Sequence, residues 1–353
     1  MTAKKTTKTK TSAHKPASTQ SSSSVGSSTK NSKHSAELWI SMLKEMIFYR
    51  RFEERVLAAY TQQKFSGFCH LHIGQEGLCV GLQRALDAKD YMISGYRSHT
   101  QAIAKGIAPL AVFSELFGKA SGCSGGKGGS MHMFSKDKRF YGGHGIVGGQ
   151  APIAVGMGWK IRYSKEQHVV VCYLGDAAMN QGQVFEAMNM AAVWQLPVLF
   201  VIENNLYGMG THIGRTTTIG ATQQYKRALA FDMDHSQVNG QDVLTVYDHM
   251  SKTIKRVRKG VPHLVEALTY RYKGHSVSDP SLYRSKEEVN SYKDDHDPIK
   301  TLAKRLQNDG ITDEDSIRAW DKEIKAELKS IEAQADKAAP PDKALAYHHV
   351  YSQ

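Results

Sequence analysis

The chain is poor in cysteine. Four occur in 353 residues (Cys69, Cys79, Cys123 and Cys172), and no two form a CxxC pair. That argues against a disulfide framework or a thiolate-rich zinc site, and it suits a reducing, intracellular compartment. Uninterrupted apolar runs of about 18 residues are also missing, so no membrane-spanning helix is expected. Residues 1–35 have no acid, no arginine and, after Met1, no large aliphatic residue but Val25; they do have seven lysines among many Ser and Thr. Such a segment cannot bury enough apolar surface to offset the entropy of ordering, and we read it as a disordered tail. Without an apolar centre it is not a secretory signal, and without arginine it is a poor mitochondrial presequence. A cytoplasmic setting is expected over a mitochondrial matrix.

The overall balance is +12. Seven of these charges sit in the tail, leaving +5 for the other 318 residues. The hint of a nucleic-acid partner weakens accordingly, and none is expected. Composition is otherwise that of a globular protein, with 41% apolar and 23% charged residues. This excludes a wholly disordered or membrane-embedded chain.

After the tail, Leu38, Met42, Met46, Phe52, Val56 and Tyr60 recur at helical spacing. Residues 118–149 are glycine-rich, but Met131, His132, Met133, Phe140 and Tyr141 interrupt the glycines and favour a packed loop over a linker. From 168 onward the pattern is α/β. Residues 168–174 (HVVVCYL) form a short β-branched run, 181–194 read as a helix, and 199–203 and 263–272 read as further strands. Strand, helix, strand in this order implies a parallel sheet flanked by helices. From Pro298 the chain turns helical. Gly310 punctuates it, Thr312 is the expected cap of a second helix, and Pro340 and Pro341 follow. The expected domains are the tail 1–35, an α/β domain 36–297 and a helical extension 298–353.

Gly143, Gly145 and Gly148 spell GxGxxG. A dinucleotide reading needs a strand before it, and RFYGG does not read as one. A stronger signal is Asp176 at the end of one apolar strand and Asn205 at the end of the next. Ligands of open α/β sheets bind beyond the carboxyl ends of strands. One carboxylate and one amide oxygen suit magnesium, which completes its shell with phosphate and water. A helix cap at Asp176 and a simple turn at Asn205 would explain the same spacing.

Longer motifs go further. YRRFEER (49–55), GFCHLHIGQEG (67–77), GYRSH (95–99), GGKGGSMHMF (125–134), YGGHGIVGGQAP (141–152), GDAAMNQG (175–182), ENNLYG (203–208), TYRYKGHSVSDP (269–280) and YRSKEE (283–288) fall in the order of one family. Over about residues 38–335 the chain resembles the alpha subunits of heterotetrameric pyruvate dehydrogenases.

The resemblance implies a thiamine diphosphate-binding fold with magnesium, and an enzyme that decarboxylates pyruvate and reductively acetylates a lipoyl group. Asp176 and Asn205 match magnesium ligands, with the Tyr207 backbone carbonyl as a third. Tyr96 and Arg97 match residues that hold the diphosphate. Ser135, Gly145, Val147, Ala177 and Ala178 match further cofactor contacts. His70 matches a substrate-side histidine, and His275 a loop histidine at the entrance that also touches cofactor. The implied partners are the pyruvate dehydrogenase beta subunit, which supplies a glutamate that activates the cofactor, and a lipoylated dihydrolipoyl acetyltransferase. The chain is expected to be inactive alone. The alternative is the alpha subunit of a branched-chain 2-oxoacid or acetoin dehydrogenase. Departures from the pattern are Ala177 for the usual glycine, His144, Lys273 and a small insertion at Lys138–Arg139. Ser276 matches a regulatory phosphorylation site, but the following DPSLYR is short and resembles bacterial forms.

Overall fold

The computed structural model describes residues 35–348. The expected tail lies outside the described residues except for Ser35, whose hydroxyl accepts the Leu38 N–H and caps the first helix. That helix, α1 (Ala36–Thr61), buries Met42, Met46, Phe52 and Val56 as its spacing predicts. There follow α2 (Glu76–Ala85), β1 (Tyr91–Gly95), α3 (His99–Ala104), α4 (Pro109–Leu116), β2 (Phe140–His144), α5 (Gln150–Tyr163), β3 (Val170–Gly175), α6 (Gly182–Val193) and β4 (Val198–Asn204). A two-residue-armed hairpin, β5 (Tyr207–Gly208) with β6 (Thr211–His212), leads to β7 (Asp234–Asn239), α7 (Val243–Val257) and β8 (His263–Leu268). Helices α8 (Lys286–Asp295), α9 (Pro298–Asn308) and α10 (Glu314–Lys337) close the described chain.

Among the described residues six strands form one sheet in the order β2-β1-β3-β4-β8-β7, with every pairing parallel. The central strands are apolar on both sides because both sides are covered. Val171, Tyr173, Leu199 and Val201 face the core shared with α1, α2, α7, α9 and α10. Val170, Cys172, Leu174, Phe200 and Ile202 face the core shared with α5 and α6. Strand order reverses at β1, with β2 on one side and β3 on the other. Such a switch point opens a crevice beyond the strand ends, where ligands bind in this architecture.

Three expectations need correction. Phe140–His144 is a strand, so the GxGxxG string does join a strand to a helix. Residues 263–272 do not form one long strand. β8 stops at Leu268, and the chain then crosses so that the Tyr272 N–H donates to the Ile73 carbonyl. Finally, Asp313 caps α10 rather than Thr312, accepting the Ser316 N–H at 2.7 Å. Among the described residues no helix is long and apolar enough to cross a membrane.

Candidate functional site

The ends of β1, β3 and β4 lie side by side, since Ile93 pairs with Cys172 and Gly175 with Glu203. Beyond them is a cavity of about 310 Å³. Tyr96, Arg97, Val147, Asp176, Ala177, Ala178, Asn205, Tyr207 and His275 all line it. The folded chain thus gathers residues that were assigned from separate motifs.

Asp176 opens a short 3-10 turn, Ala177–Asn180, and its Oδ1 accepts the Ala177 N–H at 2.7 Å. The capping reading is therefore correct for one oxygen. The other, Oδ2, is buried with no hydrogen-bond partner. Burial pushes this carboxyl up to about 6, against the opposing pull of the Ala177 N–H and of Arg271. A buried, unpaired carboxylate oxygen is costly unless a cation or donor meets it. Asn205 stands nearby, its Oδ1 receiving the Tyr207 N–H at 3.4 Å and its Nδ2 donating to Gln75 Oε1 at 3.4 Å. Leu206 and Met209 adopt left-handed backbone, with φ of 71° and 53°. That conformation costs a branched or long side chain roughly 1 kcal/mol or more. It folds the segment back so that Tyr207, Gly208 and Met209 face the cavity. Ala177 adopts no positive φ, so its Cβ brings no backbone strain; it is accommodated because residue 208 is glycine, where a Cβ would sit 2.4 Å from that of Ala177.

Two buried arginines line the same cavity as the carboxylate. Arg97 donates to the Leu71 carbonyl at 2.5 Å and to the His275 carbonyl at 2.7 Å. Arg271 donates to the carbonyls of Lys273 and Met209 and to the Tyr283 hydroxyl. Among the described residues neither has a carboxylate hydrogen-bond partner. Burial, then the neighbouring Arg271, lowers Arg97 to about 10, which leaves it charged at neutral pH. Cations buried against neutral carbonyls are poised for an anion, and arginine suits phosphate.

His70 lies just behind the lining, its ring 4.5 Å from that of Tyr96 and 5.2 Å from that of His275. Burial, then Arg97 and His275, drives His70 down to about 2. Burial, then Arg97 and Arg271, takes His275 to about 4. Both rings are neutral at physiological pH. His275 rides on an ordered loop: Asp279 Oδ2 accepts its N–H at 2.6 Å, and the Val277 N–H donates to the Cys69 carbonyl at 2.9 Å.

The glycine-rich stretch is packed, as its hydrophobic residues suggested, and Glu115 organises it. Its two buried oxygens accept N–H groups from Ser124, Gly126, Gly128 and Gly129 at 2.6–3.1 Å. Gly145 follows His144 at the β2 end, next to the cavity, although it does not line it. Ser135 stands apart, paired with Phe140 through two backbone hydrogen bonds in a turn.

Residues that sequence reasoning passed over also line the cavity: Gln75, Gln150, Glu203 and Arg271. Gln75 Nε2 and Gln150 Oε1 are buried and unpaired. Both glutamines fall inside motifs already quoted, and Arg271 stands beyond a strand end just as Asp176 does. Among the described residues no three His, Cys, Asp or Glu converge as an all-protein metal cage. The available set is one carboxylate oxygen, an amide and backbone carbonyls, facing two arginines. Those donors fit a hard cation that shares its shell with a diphosphate.

A family model for the dehydrogenase E1 component matches residues 44–344. The pyruvate dehydrogenase E1 component subunit alpha of Rhizobium meliloti (strain 1021) is 46% identical over 283 residues, 80% of this chain and 81% of that protein. The protein of the same name from Zymomonas mobilis subsp. mobilis is 46% identical over 300 residues, 84% of each chain. The mitochondrial one of Dictyostelium discoideum is 40% identical over 316 residues, 89% of this chain and 82% of its own. With the match spanning most of its length, the chain belongs to the dehydrogenase E1 component family.

Proposed function

We propose that the chain is the alpha-type subunit of a thiamine diphosphate-dependent pyruvate dehydrogenase (acetyl-transferring), completed by a beta-type partner. The observation that carries this is the presence in the lining of one cavity of Asp176, whose Oδ2 has no hydrogen-bond partner among the described residues, together with two arginines that among those residues have no carboxylate hydrogen-bond partner. When bound, the cofactor supplies the electron sink for losing carbon dioxide from a 2-oxo acid.

The chain's own residues bind and orient. Asp176 Oδ2, the Asn205 amide oxygen and the Tyr207 backbone carbonyl would hold Mg2+. Arg97 and Arg271 offset the diphosphate charge, with Arg97 fixed by two carbonyls so that little reorganisation accompanies binding. His70 and His275 act as neutral hydrogen-bonding groups, because each is far below its ordinary value. Sparing the site a third and fourth positive charge leaves its anion affinity with the arginines. The lipoyl group of a dihydrolipoyl acetyltransferase is the acceptor in this reading, and a cytoplasmic setting remains part of it.

Co-expression with the beta-type subunit tests the assignment. Steady-state rates with pyruvate, 2-oxoisovalerate and acetoin should favour pyruvate, and the isolated chain should be inactive. Preference for either other substrate, or full activity of the isolated chain, would sink it.

A further inference from the structure

A second polar system lies behind the cavity wall, and the proposed mechanism does not use it. Its centre is Glu53 on α1, which is fully buried. Glu53 Oε1 accepts the His72 N–H at 3.0 Å. Glu53 Oε2 lies 2.9 Å from His99 Nδ1. On its other side, His99 Nε2 is 2.8 Å from Ser130 Oγ, and that same oxygen accepts the His70 N–H at 3.2 Å.

Donor and acceptor roles follow from the partners. The Glu53 carboxylate only accepts, so the His99 proton sits on Nδ1. His99 Nε2 is then an acceptor and takes the Ser130 hydroxyl proton. Ser130 Oγ is thereby left with lone pairs for the His70 amide. The chain of donation runs one way, from His70 through Ser130 and His99 to Glu53.

Both branches end on the same three residues. Ser130 fixes the His70 amide, Glu53 fixes the His72 amide, and the Leu71 carbonyl between them receives Arg97 Nη1. The His72 ring carries the support further, 2.8 Å from Glu203 Oε1 on the cavity lining. Glu53, His99 and Ser130 are all at most 6% exposed, and none lines the cavity. The arrangement has the connectivity of a carboxylate–histidine–serine triad, but its serine is spent on a backbone amide.

From this geometry we infer that Glu53, acting through His99 and Ser130, is a positioning residue that sets the aim of His70 for the decarboxylation step. The inference rests on the proposed function and on the substrate-side role that the resemblance implies for His70, whose ring packs against the cavity residues Tyr96 and His275. Glu53→Gln is nearly isosteric but keeps only one acceptor oxygen, so its NH2 must face either the His72 N–H, donor against donor, or His99 Nδ1. The first breaks the His72 amide bond directly, and the second reverses the His99 tautomer and leaves the Ser130 hydroxyl without its acceptor; either way the 70–72 segment loses its fixed register.

The test uses the assembled enzyme with its beta-type partner and four variants: Glu53→Gln, Ser130→Ala, His70→Asn and the Glu53→Gln/His70→Asn double. Glu53→Gln and Ser130→Ala should each lower kcat about 10- to 100-fold, as expected for misaimed catalytic groups. KM for pyruvate should barely move, thiamine diphosphate affinity should fall no more than a few-fold through the Leu71 carbonyl that holds Arg97, and the melting temperature should drop by only a few degrees. The double variant should be no slower than His70→Asn alone, since positioning has no value once the positioned ring is gone. Two results overturn the inference: full kcat in Glu53→Gln and Ser130→Ala while His70→Asn is impaired, or losses that multiply in the double variant. Full activity of His70→Asn would instead remove the placement of His70, and the inference with it. Ser130→Ala keeps the test decisive if Glu53→Gln fails to fold.

Discussion

Asp176 has two oxygens with different tasks. Oδ1 ends a strand and starts a turn, and Oδ2 is left over for a ligand. Asp176→Asn should therefore fold, because an amide oxygen still caps the turn, yet lose magnesium-dependent thiamine diphosphate binding by at least tenfold. Titration calorimetry with and without Mg2+ checks this, and unchanged binding would refute the metal assignment. Arg97→Lys is not a conservative change here. A lysine cannot reach two carbonyls and a phosphate in one plane. We expect cofactor affinity to fall by at least tenfold while the melting temperature of the unliganded protein stays within a few degrees. Single residues were legible where they followed an apolar strand, as Asp176 and Asn205 do. Glu53 was hidden in a motif whose helical spacing had been read for apolar residues alone. Yet Met42, Met46, Tyr49, Glu53 and Val56 share one buried face of α1, and an acid on that stripe was itself a signal.

At the scale of elements, β3 and β4 could be read because central strands of a doubly covered sheet are continuous apolar runs. Three strands of the sheet escaped: β1 (YMISG), a five-residue strand too short to show a run of its own, and β2 (FYGGH) and β7 (DHSQVN), the two edges of the sheet. Edges carry glycine and polar side chains, which discourage pairing with another chain and also erase the β pattern. The glycine-rich connection between α4 and β2 takes its shape from a single carboxylate. Glu115→Ala would leave four amides without their acceptor, and each buried, unpaired group costs roughly 1–3 kcal/mol. Hydrogen exchange should accelerate across residues 122–130 before it does in the sheet. At the amino-terminal end of β8, His263 Nε2 is 2.8 Å from Ser236 Oγ, which also meets His249 Nε2 at 2.8 Å. Burial above all holds His263 down to about 4 from an ordinary 6.5, with Asp234 opposing and His249, Arg256 and His235 assisting. The folded value is the lower one, so the stability tied to a neutral ring is whole above pH 6.5. It is lost as pH falls toward 4. Urea midpoints of the parent and of His263→Asn should therefore converge between pH 7 and pH 4.5. A constant gap would show that the ring's charge state does not matter.

On the scale of the molecule, α9 and α10 share the core of α1 and α2 through Leu302, Leu306, Ile324 and Leu328. Ion pairs reinforce the contact: Arg51 with Asp321 at 2.5 Å, Arg55 with Glu332 at 2.5 Å, and Lys64 with Glu332 at 2.8 Å. Leu328 is fully buried, so Leu328→Ala should destabilise the whole fold by about 2–5 kcal/mol rather than merely loosening the last helix. A single cooperative melting transition at lower temperature is the expected result. Helical spacing made the carboxyl-terminal helices readable in sequence, with the cap of α10 misplaced by one residue. Their packing partner was not, because helical periodicity shows which face is apolar but not what covers it.

The all-parallel sheet also has a consequence in time. Arg97 follows β1 and Asp176 follows β3, and every strand pairing that brings such ends together spans a helix or more of intervening chain. Non-local pairings of this kind close slowly, since the entropy of the loop is lost before the contact is made. The cavity therefore exists only once these non-local pairings have closed. A ligand that needs both of its walls recognises only chains that have finished. Thiamine diphosphate would then act as a selective clamp on completed molecules, raising their resistance to unfolding in proportion to the logarithm of its concentration.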